Sequence, residues 1–219
     1  MENYKPTSTL IAIGMKLSSQ RDYEQVSESA YRSLVGCLLY LTTTRPDIMF
    51  AVSMLSRFMH YCNKQHFQAA KRVLRYIKGI LSHGIQFGKT ENLKLIGYTD
   101  SDWAGSKDDM KSTFVNQAIW LRKILADLNL HQREATEIYC DNKSAVAIAK
   151  NPVFHGKTKH FSIKLHVVRE MEQAREIELI HCNSEEQIAD IFTKAFNVSR
   201  FIKLRKQLGV NSMETKKEC

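Results

Sequence analysis

The spacing of apolar residues predicts a helical first part of the chain. Apolar side chains recur every three or four residues over 28–41 and again from Asp47 to about Asn63, which is the period of an amphipathic helix. Pro46 separates these two helices, because proline interrupts a helix that it does not begin. A third helix is predicted at 65–78, where one side of the segment is apolar and the opposite side is polar.

Beyond position 80, short strand-like segments alternate with helical ones. The strands are short and apolar or alternate apolar with polar residues, whereas the segments between them have the helical period. The predicted strands are 83–88, 93–99, 137–140 and 177–180, and the predicted helices are 116–128, 145–150, 161–175 and 198–208. A strand, a helix and a second strand can pair in parallel when about a dozen or more residues connect the strands. We therefore expect an α/β fold with a reduced, mainly parallel sheet and flanking helices.

Composition divides the chain into four parts. Residues 1–27 are polar and without a clear period, so we expect a poorly ordered lead-in. Residues 28–90 form the small, mainly helical region, 91–210 form the α/β domain, and 211–219 form a polar tail.

The chain is basic, with a formal net charge of +9 and an isoelectric point near 9.3. No Asp or Glu occurs from Ile48 to Thr90, and Lys71, Arg75 and Lys78 recur on one face of the predicted third helix. Such a stripe suits contacts with a phosphate backbone, although an ordinary solvated face has the same pattern. These three cations are the predicted nucleic-acid-binding residues.

Several other classes of protein fit the sequence poorly. The five cysteines are odd in number and form no Cys-x-x-Cys pair, which favours free thiols in a reducing compartment. The spacing of the histidines matches no zinc motif. Because the sequence has no signal-peptide pattern and no apolar run of membrane-spanning length, we expect a cytoplasmic or nuclear protein that is not secreted and has no membrane partner.

Three aspartates are the candidate metal ligands. Asp100 and Asp141 each follow a predicted strand, and Asp190 lies in a helix that a capping-box pattern at 184–187 predicts. Ligands collect at the carboxyl ends of strands in α/β sheets, and carboxylates are the oxygen ligands that hard divalent cations prefer. Each aspartate also has an ordinary alternative role, in a turn, at a helix N-cap or as a charge near a helix amino end.

The segments around these aspartates resemble a known family. They are GYTDSDWAG at 97–105, IYCDNKSA at 138–145, NPVFHGKTKH at 151–160 and QIADIFTK at 187–194. Together they closely resemble the ribonuclease H domain of Copia-type LTR retrotransposon Pol polyproteins. Residues 31–48 resemble the segment that follows the palm and fingers of the reverse transcriptase in the same polyproteins, so the resemblance covers nearly the whole chain.

The resemblance implies a truncated ribonuclease H-like fold preceded by a helical remnant of the reverse transcriptase. The ancestral activity would be cleavage of the RNA strand of RNA–DNA hybrids during reverse transcription. In that family, clustered carboxylates hold two Mg²⁺ ions that activate a water and stabilise the leaving oxygen. Carried over by motif, Asp100, Asp141 and Asp190 are the catalytic metal ligands, and Asp102 is a supporting group behind them.

One segment departs from the pattern of the family. After the Lys-Ser-Thr at 111–113, the family has a two-stranded hairpin and the front of a helix that carries a catalytic Glu. Here residues 114–116 join directly to 117–120, which resembles the back half of that helix. We therefore expect an internal deletion near 113–117 and loss of hybrid cleavage, because the two-metal site lacks its bridging carboxylate.

Two alternatives to an inactive remnant stay open. One is a non-catalytic protein that binds nucleic acid, either the hybrid or any sequence. The other is an active nuclease in which Asp102 or Asp109 replaces the missing Glu. In each case the absent hairpin would leave 93–99 as an edge strand, which predicts self-association through that edge.

Overall fold

The computed structural model describes residues 4–15, 17–18, 26–89, 93–99, 113–150 and 167–213. The chain divides into two compact units, which are described separately below. The first comprises Met1–Gly88 and Asp190–Cys219, and the second comprises Lys89–Ala189. The predicted α/β domain at 91–210 differs from this division, because the structure places its last part in the helical unit.

Three consecutive helices begin the first unit, as predicted. They are α1 (Glu28–Leu41), α2 (Met49–Ser56) and α3 (Lys64–Gly79), and a short 3₁₀ turn at Pro46–Ile48 precedes α2. The side chain of Ser27 caps α1 by accepting a hydrogen bond from the backbone N–H of Ala30. At the start of α3, Asn63 and His66 form a reciprocal capping box.

The core of the first unit combines both ends of the sequence. Tyr31, Val35, Val73 and Tyr76 from the helices are fully buried, and Leu204 from the carboxyl-terminal segment packs in the same cluster. Leu10 and Ile11 also belong to this core, each with 6% of its surface exposed. The described part of the predicted lead-in is therefore packed at these two positions, because two adjacent large aliphatic side chains gain by leaving water.

The second unit contains a three-stranded parallel sheet. Its strands are β2 (Ile96–Thr99), β3 (Thr136–Cys140) and β4 (Ile177–His181), in the spatial order β2-β3-β4. Ile96 lies opposite Glu137 and Thr136 lies opposite Ile177, so the predicted parallel pairings are confirmed. Helix α4 (Thr113–Asp127) connects β2 to β3, and α5 (Lys143–Lys150) and α6 (167–173) lie between β3 and β4 in the chain.

Two contacts position β2 within this unit. A Cβ atom at Gly97 would lie 2.6 Å from Cζ of Phe114 on α4, so only glycine permits this close packing. Just before the strand, the side-chain amide of Gln132 donates to the carbonyl of Leu93 and accepts from the N–H of Leu95. In the part of the chain that the structure describes, β2 pairs with β3 alone. Its other edge fits the predicted edge strand, and self-association through it stays a prediction.

The carboxyl-terminal segment contains the remaining elements of the first unit. Helix α7 (Val198–Gln207) agrees with the predicted basic helix, and Asn197 caps it by accepting from the N–H of Arg200. Strand β1 (His83–Ile85) pairs antiparallel with β5 (Val210–Ser212). The polar tail predicted from 211 thus begins with two residues of a strand.

The helix predicted from the capping-box pattern at 184–187 is wrong. The structure has two short 3₁₀ turns instead, at Ser184–Glu186 and Ile188–Phe192. Gln187 separates them in an extended conformation, with its side chain buried. Its amide donates to the carbonyl of Thr99 and accepts from the N–H of Ala189, and these contacts replace the hydrogen bonds of a continuous helix.

Candidate metal centre and nucleic-acid interface

The predicted carboxylate cluster can be followed residue by residue. Asp100 lies outside the described residues, as do Asp102 and Asp109. Asp141 belongs to the second unit and Asp190 to the first. The convergence of Asp100, Asp141 and Asp190 at one metal centre therefore stays a prediction.

Asp141 directly follows β3, at the carboxyl end of the sheet where the sequence places it. Its side chain is half-buried, and the residue lies between β3 and α5 in the chain. Burial raises the pKa of the nearby Cys182 thiol to about 11, and the negative charges of Asp141 and Cys140 act in the same direction. Because burial is the main cause, this end of the sheet disfavours a charged thiolate at Cys182.

Asp190 has a different environment, in which its charge is already compensated. Its side chain is 2% exposed and lies in the 3₁₀ turn at Ile188–Phe192. Nζ of Lys194 donates to Oδ1 over 2.7 Å, and Nη2 of Arg200 donates to Oδ2 over 3.1 Å. Both carboxylate oxygens thus accept charge-assisted hydrogen bonds within the first unit.

The residues around Asp190 do not fit a Mg²⁺ ion. Mg²⁺ needs near-octahedral oxygen coordination and favours net negative charge, whereas two cations already contact this carboxylate. Among the described residues, no group of three or more His, Cys, Asp or Glu side chains is arranged to hold a metal. Asp190 instead joins the 3₁₀ turn to Arg200 on α7.

The predicted nucleic-acid stripe lies on α3, with Lys71 and Lys78 exposed and Arg75 half-buried. Nζ of Lys71 lies 4.8 Å from the centre of the Phe67 ring. Nε of Arg75 donates to the carbonyl of Lys5 over 2.7 Å, and Nζ of Lys78 donates to the carbonyl of Tyr4 over 3.3 Å. Two of the three predicted cations thus contact the amino-terminal segment of the same unit.

Arg72 is a fourth cation of this region that the periodicity did not select. Its Nε donates to the carbonyl of Thr9 over 3.2 Å, and its Nη2 donates to Oγ1 of Thr9 over 2.9 Å. Position 72 does not fit the i, i+4, i+7 spacing. Arg72 could still have been selected from the sequence, because it directly follows Lys71 in a segment without Asp or Glu. Lys71, Arg72, Arg75 and Lys78 are called the basic face of α3 below.

Comparison with known proteins identifies the family. The chain is 34% identical over 242 residues to the retrovirus-related Pol polyprotein from transposon RE1 of Arabidopsis thaliana, a match that covers 94% of this chain. It is 33% identical over 255 residues to the corresponding polyprotein from transposon TNT 1-94 of Nicotiana tabacum, which covers 97% of this chain. The chain belongs to the Copia-type retrovirus-related Pol polyproteins.

This chain corresponds to a small part of these Pol polyproteins, 16% of the RE1 protein and 19% of the TNT 1-94 protein. The aligned regions of 242 and 255 residues are longer than the 219 residues of the chain. The Pol polyproteins therefore contain positions that this chain lacks, as an internal deletion requires, while its placement near 113–117 stays a prediction.

No protein-family model and no solved structure matches this chain. Among the described residues, no helix is both long enough and apolar enough to cross a membrane.

Proposed function

We propose that this Pol-derived chain has a truncated ribonuclease H-like fold and does not cleave RNA–DNA hybrids. The parallel β2-β3-β4 sheet with intervening helices supports the fold. The observation that carries the loss of cleavage is the pairing of Asp190 with Lys194 and Arg200. The resemblance implies four carboxylates at the metal site, namely Asp100, Asp141, Asp190 and a Glu. The Glu is missing, and the ion pairs make Asp190 a second carboxylate that is unsuited to a metal.

The ion pairs of Asp190 are hard for a metal to replace. Coulomb attraction strengthens as the local dielectric falls, and this carboxylate is almost fully buried. A Mg²⁺ ion that bound Asp190 would displace two cations and be repelled by both, after losing part of its own hydration shell. We therefore expect weak metal binding and no metal-dependent cleavage.

Incubation of the purified protein with a labelled RNA–DNA duplex and Mg²⁺ or Mn²⁺ tests this proposal. The matched control is Asp141→Asn, which removes the carboxylate at the end of β3 but keeps its size. We expect the parent and Asp141→Asn to give the same background level of duplex cleavage. Metal-dependent cleavage by the parent that disappears in Asp141→Asn would show that the chain is an active nuclease.

Sequence-independent binding of nucleic acid is the second proposed function, and the basic face of α3 supports it. This face presents four cations on one helix, in a segment without Asp or Glu. A groove with a volume of about 470 Å³ lies beside it, lined in part by Lys71, Arg72 and Arg75. Cations next to an open groove are suited to the oxygens of a phosphate backbone.

Anisotropy titration of a labelled RNA–DNA duplex over a range of salt concentrations tests the second proposal. Replacing Lys71, Arg75 and Lys78 by Ala should weaken binding and reduce the slope of log K against log salt by about 0.9 for each lost phosphate contact on duplex DNA. The control replaces Lys123, Lys143 and Lys206, which are exposed on other helices, and removes the same charge. Equal losses of affinity in the two triple variants would show that binding depends on net charge alone and not on the basic face of α3.

A further inference from the structure

The amino-terminal strap, residues 4–9, runs along the basic face of α3. The carbonyls of Tyr4, Lys5 and Thr9 accept hydrogen bonds from Lys78, Arg75 and Arg72, respectively. The strap therefore offers three backbone oxygens to three cations of one helix face. A nucleic-acid backbone would present its phosphate oxygens to the same donors.

Two further contacts of the strap with α3 involve no charged group. The N–H of Thr7 donates to the carbonyl of Arg75 over 3.4 Å. Pro6 packs against the end of α3 so closely that a Cβ atom at Gly79 would lie 3.0 Å from Cβ of Pro6. Gly79 therefore leaves the room in which Pro6 sits, and a larger residue there would push the strap away from the helix.

The two ends of the strap are held to different degrees. Leu10 and Ile11, which follow it directly, are buried in the core. Tyr4, Lys5 and Pro6 are exposed, so the hydrogen bonds to Arg75 and Lys78 compete with water. Opening the first residues thus breaks contacts between exposed and half-buried groups, while Leu10 and Ile11 keep the strap close to α3.

We infer that the strap is an intramolecular competitor of nucleic acid for the basic face of α3. This inference rests on the proposed nucleic-acid binding and adds its regulation. A backbone carbonyl is a neutral acceptor, whereas a phosphate oxygen is charged and forms the stronger hydrogen bond with Arg or Lys. The tethered strap has the advantage of proximity, so nucleic acid must first displace it. Only molecules with an open strap can bind, so the apparent affinity is the affinity of the open form multiplied by the fraction of molecules in which the strap is open.

The test opens the strap without altering any cation. Gly79→Val places branched methyl groups against Pro6, and Gly36→Val is the matched control, because a Cβ at Gly36 meets no atom within 4 Å. Hydrogen exchange of the Thr7 N–H, which donates to the carbonyl of Arg75, reports strap opening, and anisotropy of a labelled RNA–DNA duplex reports affinity. Pro6→Gly is a second opening variant, which removes the same contact from the strap side and leaves α3 unchanged.

Both opening variants should exchange the Thr7 N–H faster and bind the duplex roughly tenfold more tightly, the ratio that a closure free energy of about 1.4 kcal/mol gives. The slope of log K against log salt should stay that of the parent, because the duplex contacts the same cations once the neutral carbonyls of the strap are displaced. Gly36→Val should behave as the parent.

Three results would overturn the inference, and they have different meanings. Faster exchange with unchanged affinity would show that the strap does not compete with the duplex. Tighter binding in both variants without faster exchange would show that the gain in affinity does not come from strap opening. If the parent and both variants all fail to bind the duplex, the proposed nucleic-acid binding itself is wrong, and the strap has nothing to regulate.

Discussion

Substitution of Asp47 should be among the most destabilising changes in the helical unit. Asp47 is 1% exposed, and its two carboxylate oxygens accept from Nε and Nη2 of Arg45 over 2.9 and 2.8 Å. The hydroxyl of Tyr76 donates to Oδ2 over 2.6 Å, and Nη1 of Arg205 donates to that hydroxyl over 3.3 Å. One carboxylate thus compensates a buried guanidinium and orients a buried phenol.

Asp47→Asn keeps the size of the side chain and removes its charge. Arg45 is then a buried cation without its counter-charge, and removing one partner of a buried ion pair costs about 3–5 kcal/mol. With a urea m-value of about 1–3 kcal/mol/M, the midpoint of unfolding should fall by about 1 M or more. Urea titration followed by circular dichroism measures this shift.

The control for Asp47→Asn is a pair of similar geometry at the surface. Glu28 accepts from Arg32 over 2.8 Å, but their side chains are 48% and 46% exposed. Glu28→Gln should cost less than about 1 kcal/mol, because exposed ion pairs contribute little. If Asp47→Asn and Glu28→Gln shift the midpoint equally, the buried network does not stabilise the unit as described.

Three further predictions concern packing and titration. Gly97→Ala should destabilise the sheet unit by about 1–3 kcal/mol in thermal unfolding, because its Cβ would overlap Phe114, and Phe114→Leu should restore part of the loss. Burial and the charge of Asp47 raise the pKa of Tyr76 in the folded protein. The hydroxyl of Tyr76 therefore loses its proton at a lower pH in the unfolded chain than in the folded one, and the free energy of unfolding should fall as pH rises above about 10. Between pH 8 and alkaline pH, the free energy of unfolding should fall less in Tyr76→Phe than in the parent. An identical fall would show that titration of Tyr76 is not the cause. Iodoacetamide at pH 8 should label exposed Cys37 well before buried Cys182, as mass spectrometry of timed samples would show, since burial raises the pKa of Cys182 to about 11.

The helices and the parallel sheet could be predicted because local signals and topology agree there. Apolar periodicity and Pro46 define α1, α3 and the start of α2 within a few residues, whereas α2 ends at Ser56 and not near Asn63, which caps α3. The alternation in β2 and the length of the connection through α4 favour a parallel pair with β3, which the register confirms. In these regions each residue's preference depends mainly on neighbours in the chain.

The environment of Asp190 could not be predicted, because it depends on contacts that local patterns do not encode. The capping-box pattern predicts a helix from Ser184, but the structure has a short 3₁₀ turn there, followed by the buried side chain of Gln187, which bonds to Thr99. Asp190 then lies beside Lys194, four residues later, and Arg200, ten residues later. The motif around Asp190 predicts a metal ligand, whereas the fold of this chain gives it two cations.

The helical unit is discontinuous in sequence, and this affects how the chain is made. Its core needs Leu204 and Phe201, and its sheet needs β5, yet Lys89–Ala189 are translated before any of these. At a synthesis rate of about 5–20 residues per second, α1 to α3 wait about 6–25 s for Leu204, which helps to cover their apolar surface. During that interval the nascent chain is exposed to chaperones and to aggregation. A premature stop codon anywhere in Lys89–Ala189 would leave a helical unit that can never be completed, although all of its first three helices would have been translated.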